Sequence, residues 1–245
     1  RFLYSIINNP IIVLLIMDII WILVLYRTSI NLSTDSMGSG KLSIGLIVIL
    51  CTSFPIFFGY ENIYRQLFAT VFSLYSYSLL NSSYKKSFLI FLIALFMHNS
   101  VLILLPVFYI NKIFNFSLRI RVLISIVLSL IFLYFLSSMI QFKSAKLTGT
   151  DLSLSYLFMF VIILLIAFVK FRFRLLDLFR KTPSLVIIVI LMIGLLFLPY
   201  DMIAERIGMM LLVFLLFDLY KYSITISNTI YRVMFRLSLL FAVSL

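Results

Sequence analysis

Apolar residues fill most of this chain in long runs, and polar residues gather in the short segments between them. The runs are about 17 to 25 residues long, the length at which a helix crosses the hydrocarbon core of a bilayer. Leu157–Val169 and Ser184–Leu198 show no alternation of polar and apolar residues, which membrane barrel strands would require. Because lipid offers the backbone no hydrogen-bond partners, such runs must be helices. The pattern predicts an all-α, polytopic integral membrane protein.

Short connections separate the apolar runs and leave one helical domain over residues 1–245, without linker or internal repeat. We predict about nine transmembrane helices of bilayer-spanning length. They lie near Pro10–Tyr26, Leu42–Phe58, Ile63–Leu80, Phe88–Ile110, Leu118–Ile140, Leu154–Phe171, Pro183–Leu198, Ile207–Ile226 and Ile230–Leu245. The sequence opens on Arg1 and stops inside an apolar run, so we expect a fragment, truncated at its N-terminus, of a longer chain.

Composition supports a membrane protein, since 64% of the residues are hydrophobic and 11% are charged. Soluble domains carry about a quarter charged residues. The net charge of +12 is therefore interpreted as membrane orientation rather than nucleic-acid binding, because Lys and Arg accumulate in cytoplasmic loops. The basic stretch Lys170–Lys181 predicts the cytoplasmic face, either as a helix on anionic lipid or as a plain topogenic loop. One His and one Cys argue against a structural zinc site.

Arg65 is a charged residue in a segment that is otherwise largely apolar. A guanidinium binds phosphate in a bidentate manner and stays charged, which suits a lipid diphosphate. With a helix that begins near Phe57, Arg65 would lie two turns inside the apolar zone. Two structural roles remain open, an intrahelical pair with Glu61 and extension of the side chain to the interface.

His98 is the only histidine of the chain, and the segment His98-Asn99-Ser100 has strongly apolar residues on both sides. An imidazole can accept a proton near neutral pH, which suits a general base for a hydroxyl nucleophile. The alternative is a histidine that forms hydrogen bonds between helices.

Charged residues also precede the eighth predicted span, in the segment from Pro199 to Arg206. Asp201 and Glu205 are four residues apart and would repel each other on one helix face unless a cation lies near. An ordinary charged helix start is an equally good interpretation.

Three stretches then resemble a known family. They are Asn62-Ile-Tyr-Arg-Gln-Leu-Phe-Ala69, Ala94-Leu-Phe-Met-His-Asn-Ser-Val-Leu-Ile-Leu-Leu-Pro106 and Ala204-Glu-Arg-Ile207. The sequence is similar there to EpsG-type, Wzy-like polysaccharide polymerases, in which an N-x-x-R-Q-x-x-A helix precedes a helix with an F-H-x-S pattern. Met97 stands where the family has an aromatic residue.

The resemblance implies a polymerase that joins oligosaccharide repeat units carried on undecaprenyl diphosphate, as in O-antigen or capsule synthesis. It implies a multi-pass protein of the bacterial inner membrane, with a GT-C-like arrangement as one candidate architecture. No metal, cofactor, nucleotide sugar or nucleic acid is expected; membrane lipids, chain-length regulators and export-complex proteins are the expected partners. The site expected from it comprises His98 and Glu205 as catalytic residues, with substrate bound by Asn62, Tyr64, Arg65, Gln66, Asp201 and Arg206.

Two other functions fit the same residues. A flippase for lipid-linked sugars would also need cations within the membrane, and a membrane O-acyltransferase would use His98 on a sugar hydroxyl. A purely structural subunit of an export complex is a further alternative.

Overall fold

The structure is a computed structural model. It describes residues 9–37, 43–62, 64–110, 153–170, 183–195, 201–224 and 226–244, together with scattered helical positions between 120 and 134. The described side chains exclude those at several helix ends, among them Asn62, Asp201 and Glu205.

Every regular element in the described residues is helical. The elements are α1 (Pro10–Met37), α2 (Ile44–Cys51), α3 (Phe54–Asn62), α4 (Tyr64–Ser78), α5 (Tyr84–Met97), a 3₁₀ segment (Asn99–Leu104), α6 (Leu105–Ile110), α7 (Ser153–Lys170), α8 (Pro183–Leu195), α9 (Asp201–Ile224) and α10 (Thr229–Ser244). The all-helical class predicted from the sequence is confirmed for these residues.

Helix α1 continues eleven residues past Tyr26, where the apolar run ends. Two of its later polar side chains form hydrogen bonds inside the protein. The Thr28 hydroxyl donates to the Val24 carbonyl oxygen at 2.8 Å, and the Asn31 amide donates to the Ser78 hydroxyl at 3.1 Å. The sequence pattern ended this helix too early because it treats polar residues as exits from the bilayer.

Two predicted single spans are interrupted in the structure. The first breaks at Thr52 and Ser53, whose hydroxyls bond to carbonyl oxygens of α2. Pro55 follows in the first turn of α3, where its missing N–H costs nothing.

The second interruption lies at His98, whose backbone is extended with φ −157° and ψ 126°. Beyond it the chain folds back on α5, since the rings of Phe91 and Phe108 lie 4.8 Å apart between centroids. A continuous helix would separate these two residues by about 25 Å. The segment predicted as one span over Phe88–Ile110 is therefore a helical hairpin with His98 at its tip.

Helix α9 forms the centre of the molecule, since every described residue from Ile207 to Tyr220 is buried. It packs against α7, α8 and α10 and touches α1 to α4. Helix α1 lies at the periphery and leaves large apolar side chains exposed, including Ile11, Leu15 and Ile19.

Within the described residues, two helical segments have the length and composition to cross a membrane, Pro10–Leu32 and Arg206–Ile224. Asn99–Phe108, Ser155–Val169 and Ser184–Gly194 are apolar but shorter. Nine crossings and their orientation stay predictions. The basic stretch that was assigned to the cytoplasmic face lies outside the described residues.

Candidate active site

Arg65 and His98 lie at the same level of two antiparallel helices. Ser76 of α4 and Ser87 of α5 exchange hydrogen bonds, with each hydroxyl donating to the other residue's carbonyl oxygen at 2.6 and 2.8 Å. Arg65 is eleven residues before Ser76, and His98 is eleven residues after Ser87. The shared register therefore brings the arginine opposite the histidine.

The contact between the two helix ends agrees with this register. Arg65 is exposed, and its Nη2 lies 3.5 Å from the carbonyl oxygen of Met97, the last residue of α5. It is the second residue of α4. The carbonyl groups at the end of α5 favour a cation there.

The imidazole of His98 is partly buried and is fixed by the turn that it begins. Its Nδ1 accepts the backbone N–H of Ser100 at 3.2 Å and lies 2.5 Å from the Ser100 hydroxyl oxygen. Because Nδ1 is an acceptor, the neutral ring carries its proton on Nε2. His98 thus forms the N-cap of the 3₁₀ segment and holds a serine hydroxyl against its basic nitrogen.

Gln66 links this pair to α9. Its side chain is buried, and Nε2 donates to the backbone carbonyl oxygen of Arg206 at 2.6 Å. Arg206 itself is half-buried. The bond places the backbone of Arg206 beside the residue that follows Arg65.

A second contact brings α9 to the tip of the hairpin. The Ser100 hydroxyl lies 3.7 Å from the Met210 sulfur, one turn after Arg206. The starts of α4 and α9 and the turn at His98 thus converge, and Tyr64, Arg65, Gln66, His98 and Arg206 share one level.

The described side chains at this level include two cations, Arg65 and Arg206. The two acidic side chains that the structure describes are Asp18 and Asp218, and neither pairs with the guanidinium of Arg65 or Arg206. Two arginines without a described carboxylate partner favour an anion between them.

Asp18 is a residue of this level that the sequence reasoning missed. Tyr64 donates its hydroxyl to Asp18 Oδ1 at 2.5 Å, so the carboxylate sits beside the helix turn that carries Arg65. The signal was present, because Asp18 is the single acidic residue of the first apolar run. The rule that singled out Arg65 applies equally to it.

Three further predicted site residues have their backbones in α3 and α9. The side chains of Asn62, Asp201 and Glu205 lie outside the described residues. The described part of the chain also holds no cluster of three metal-ligating side chains.

A second polar group lies about 18 Å further along α9, twelve residues after Arg206. The Asp218 carboxylate is buried and accepts hydrogen bonds from Ser184 and from Tyr77, the latter at 3.4 Å. Tyr77 thus forms a hydrogen bond between α4 and α9.

Comparison with curated proteins and with solved structures finds no match to either. A comparison with protein families matches the EpsG family over residues 1–245, which confirms the resemblance seen in the motifs. With two membrane-length helices in the described residues, this indicates a membrane protein of polysaccharide biosynthesis. The chain belongs to the EpsG family, whose role is of the polysaccharide polymerase type.

Proposed function

We propose that this protein joins oligosaccharide repeat units carried on undecaprenyl diphosphate into a surface polysaccharide, at the outer face of the bacterial inner membrane. The observation that carries the proposal is the register that brings Arg65 opposite His98, with the start of α9 bonded to the same turn through Gln66. The two cations, Arg65 and Arg206, and the proton acceptor His98 then lie at the same level of the helices.

The arginines suit the leaving group of this reaction. The bond between the glycosidic carbon and the diphosphate oxygen breaks, and the lipid diphosphate leaves with its electron pair. Preorganised donors aimed at developing charge provide the largest single contribution to many enzymes' rates. Arg65 and Arg206 take that role here, and the exposure of Arg65 lets a substrate reach it.

The acceptor sugar must lose a proton as its hydroxyl oxygen bonds to the glycosidic carbon. Ser100 lies between such a hydroxyl and Nδ1 of His98 in our scheme. Its oxygen takes the sugar proton while its own proton passes to Nδ1, 2.5 Å away. Glu205, one residue before Arg206, is the second candidate base.

An apolar cavity of about 280 Å³ lies beside the hairpin and suits part of an isoprenoid chain. Its wall includes Phe88, Phe91, Leu95, Leu102, Leu105 and Phe108. Leu95 and Leu102 are within four residues of His98, so the cavity extends from the turn at the site along α5. A lipid bound there would present its diphosphate near the arginines.

A deletion strain complemented with single alleles tests the proposal. Deletion should leave single repeat units on lipid at the outer leaflet, and His98→Ala and Arg206→Ala should fail to restore polymer, whereas Arg232→Ala on α10 should restore it. Normal-length polymer from both site variants would refute the mechanism. Accumulation at the inner leaflet would identify a flippase instead.

The contact between Ser100 and His98 also favours a second candidate, a membrane O-acyltransferase. A hydroxyl within hydrogen-bond reach of an imidazole nitrogen is the arrangement of an activated serine nucleophile. Full-length polymer that lacks acetyl groups in the deletion strain would support this function and exclude the polymerase.

A further inference from the structure

Asp18 lies in the apolar first part of α1, Pro10–Tyr26, and is surrounded by aromatic side chains. Oδ1 accepts the indole N–H of Trp21 at 3.0 Å and the Tyr64 hydroxyl at 2.5 Å. Oδ2 accepts the Tyr60 hydroxyl at 3.3 Å. These neutral donors come from α1, α3 and α4, so three helices contribute to one carboxylate.

The cluster lies at the level of the arginines. Helices α1 and α4 run parallel, because Asp18 bonds to Tyr64 and, thirteen residues later, Asn31 bonds to Ser78, fourteen residues after Tyr64. Tyr64 precedes Arg65 directly. Asp18 is therefore a neighbour of the candidate active site on the side of α1.

The two carboxylate oxygens of Asp18 differ in the number and length of the hydrogen bonds that they accept. Oδ1 has two short bonds, whereas the described residues give Oδ2 a single longer bond, from the exposed Tyr60. An ionised carboxylate oxygen can accept more than one hydrogen bond. Oδ2 can therefore accept a further hydrogen bond from a ligand with hydroxyl groups. An acid is costly in a membrane helix and normally serves a function, which favours such a ligand.

The aromatic rings add a second feature of a sugar site. Tyr60 is 43% exposed, and its ring lies edge-on to that of Tyr64, with centroids 5.6 Å apart. Ligand sites combine such apolar faces with a few fixed polar groups. Trp21, by contrast, is 9% exposed and serves to orient the carboxylate.

We propose that Asp18, Tyr60 and Tyr64 form a saccharide-binding subsite, in which Oδ2 accepts sugar hydroxyls and the Tyr60 ring covers an apolar sugar face. The inference rests on the proposed function, and it assigns the saccharide part of the substrate to the α1 side of the arginines. Asp18 here binds substrate and takes no part in proton transfer.

The single tryptophan of the chain provides the readout, because Trp21 bonds directly to Asp18. The probe is a set of lipid-free oligosaccharides, released by mild acid from the surface polymer of the source bacterium and added to the protein in nanodiscs. A saturable change in Trp21 emission is expected, and inorganic pyrophosphate should produce none. An unchanged emission spectrum would overturn the subsite.

Single-residue variants test whether Asp18 and Tyr60 bind the oligosaccharide. Asp18→Asn and Tyr60→Ala should each weaken oligosaccharide binding at least tenfold, while Tyr231→Ala, at an exposed tyrosine of α10, should bind as the wild type does. Tyr60 is exposed, so its variant keeps the test decisive if Asp18→Asn does not fold. Equal binding by the Tyr60 variant and the wild type would refute the proposal.

Arg65→Ala separates this inference from the proposed function. It should bind the free oligosaccharides normally and yet make no polymer. Polymer from Arg65→Ala would overturn the proposed mechanism while leaving the subsite intact. Loss of oligosaccharide binding in Arg65→Ala would refute the separate subsite.

Discussion

Gln66 donates a hydrogen bond from its side-chain amide to the backbone carbonyl oxygen of Arg206 at 2.6 Å. Because a carbonyl can only accept, this bond fixes which end of the amide faces α9. Oε1 is then buried, and no donor from the described residues reaches it. The bond joins the first turn of α4 to the turn of α9 that carries Arg206.

Gln66→Glu should therefore destabilise the protein although it preserves the shape of the side chain. The change removes the N–H donor and, if the acid ionises, places a negative charge against the Arg206 carbonyl. We expect a loss of about 2 kcal/mol in unfolding free energy, as for a buried polar group left without its partner. Thermal unfolding in detergent measures it.

Asn81→Asp is the matched control, since Asn81 is exposed in the turn between α4 and α5. The same amide-to-acid change should leave its unfolding temperature nearly unchanged. Equal shifts for both variants would mean that the bond to Arg206 does not hold α9.

Ser100→Ala should slow polymerisation without unfolding the protein. The variant removes the hydroxyl that contacts Nδ1 of His98 but keeps the backbone N–H that also bonds there. If Ser100 carries the proton, its loss should reduce the turnover rate by about 10²-fold or more, the usual contribution of positioned proton transfer. Turnover at saturating lipid-linked repeat unit measures the effect.

Ser73→Ala serves as the comparison, because the Ser73 hydroxyl donates to the carbonyl oxygen of Ala69 within its own helix. Its turnover should stay close to that of the wild type. A Ser100 variant with wild-type turnover would exclude the relay and leave direct transfer to His98 or to Glu205.

Gly45 should not tolerate a larger residue. A Cβ atom there would lie 2.7 Å from the hydroxyl oxygen of Tyr220, which is buried and receives a 2.7 Å bond from the Ser43 hydroxyl. Gly45→Ala should lower the unfolding free energy by about 1–3 kcal/mol, the usual cost of overpacking. Thermal unfolding of Gly45→Ala, alone and combined with Tyr220→Phe, tests whether contact with the Tyr220 hydroxyl causes the loss.

The double variant should recover part of the loss, because it removes the atom that clashes. If Gly45→Ala is equally harmful with and without the Tyr220 hydroxyl, another contact must be responsible.

The presence of helices in the apolar runs was predictable from the sequence, and the breaks within the runs were not. Helices α7, α8 and α10 each cover one of these runs. The turn at His98 has apolar residues on both sides, so hydropathy gives no sign that the chain reverses there.

The residues of the candidate site were likewise predictable, but their arrangement was not. Arg65, His98 and Arg206 could be selected because a charge or an imidazole is unusual in an apolar setting. Their common level depends on the pairing of Ser76 with Ser87 and of Gln66 with Arg206, which are contacts between distant parts of the chain. No local pattern contains that information. Asp18 was overlooked although its setting was equally unusual.

Reconstitution of the purified protein with lipid-linked repeat unit tests the central claim, that Arg65 acts on the diphosphate opposite His98. The wild type should produce a ladder of lengthening products. Arg65→Ala should reduce the polymerisation rate by about 10²-fold or more. Arg65→Lys should recover only part of that rate, because an ammonium group lacks the bidentate geometry of a guanidinium.

Arg27→Ala controls for loss of charge, since Arg27 is exposed on α1 nine residues beyond Asp18. Its ladder should match that of the wild type. A full ladder from Arg65→Ala would contradict the account.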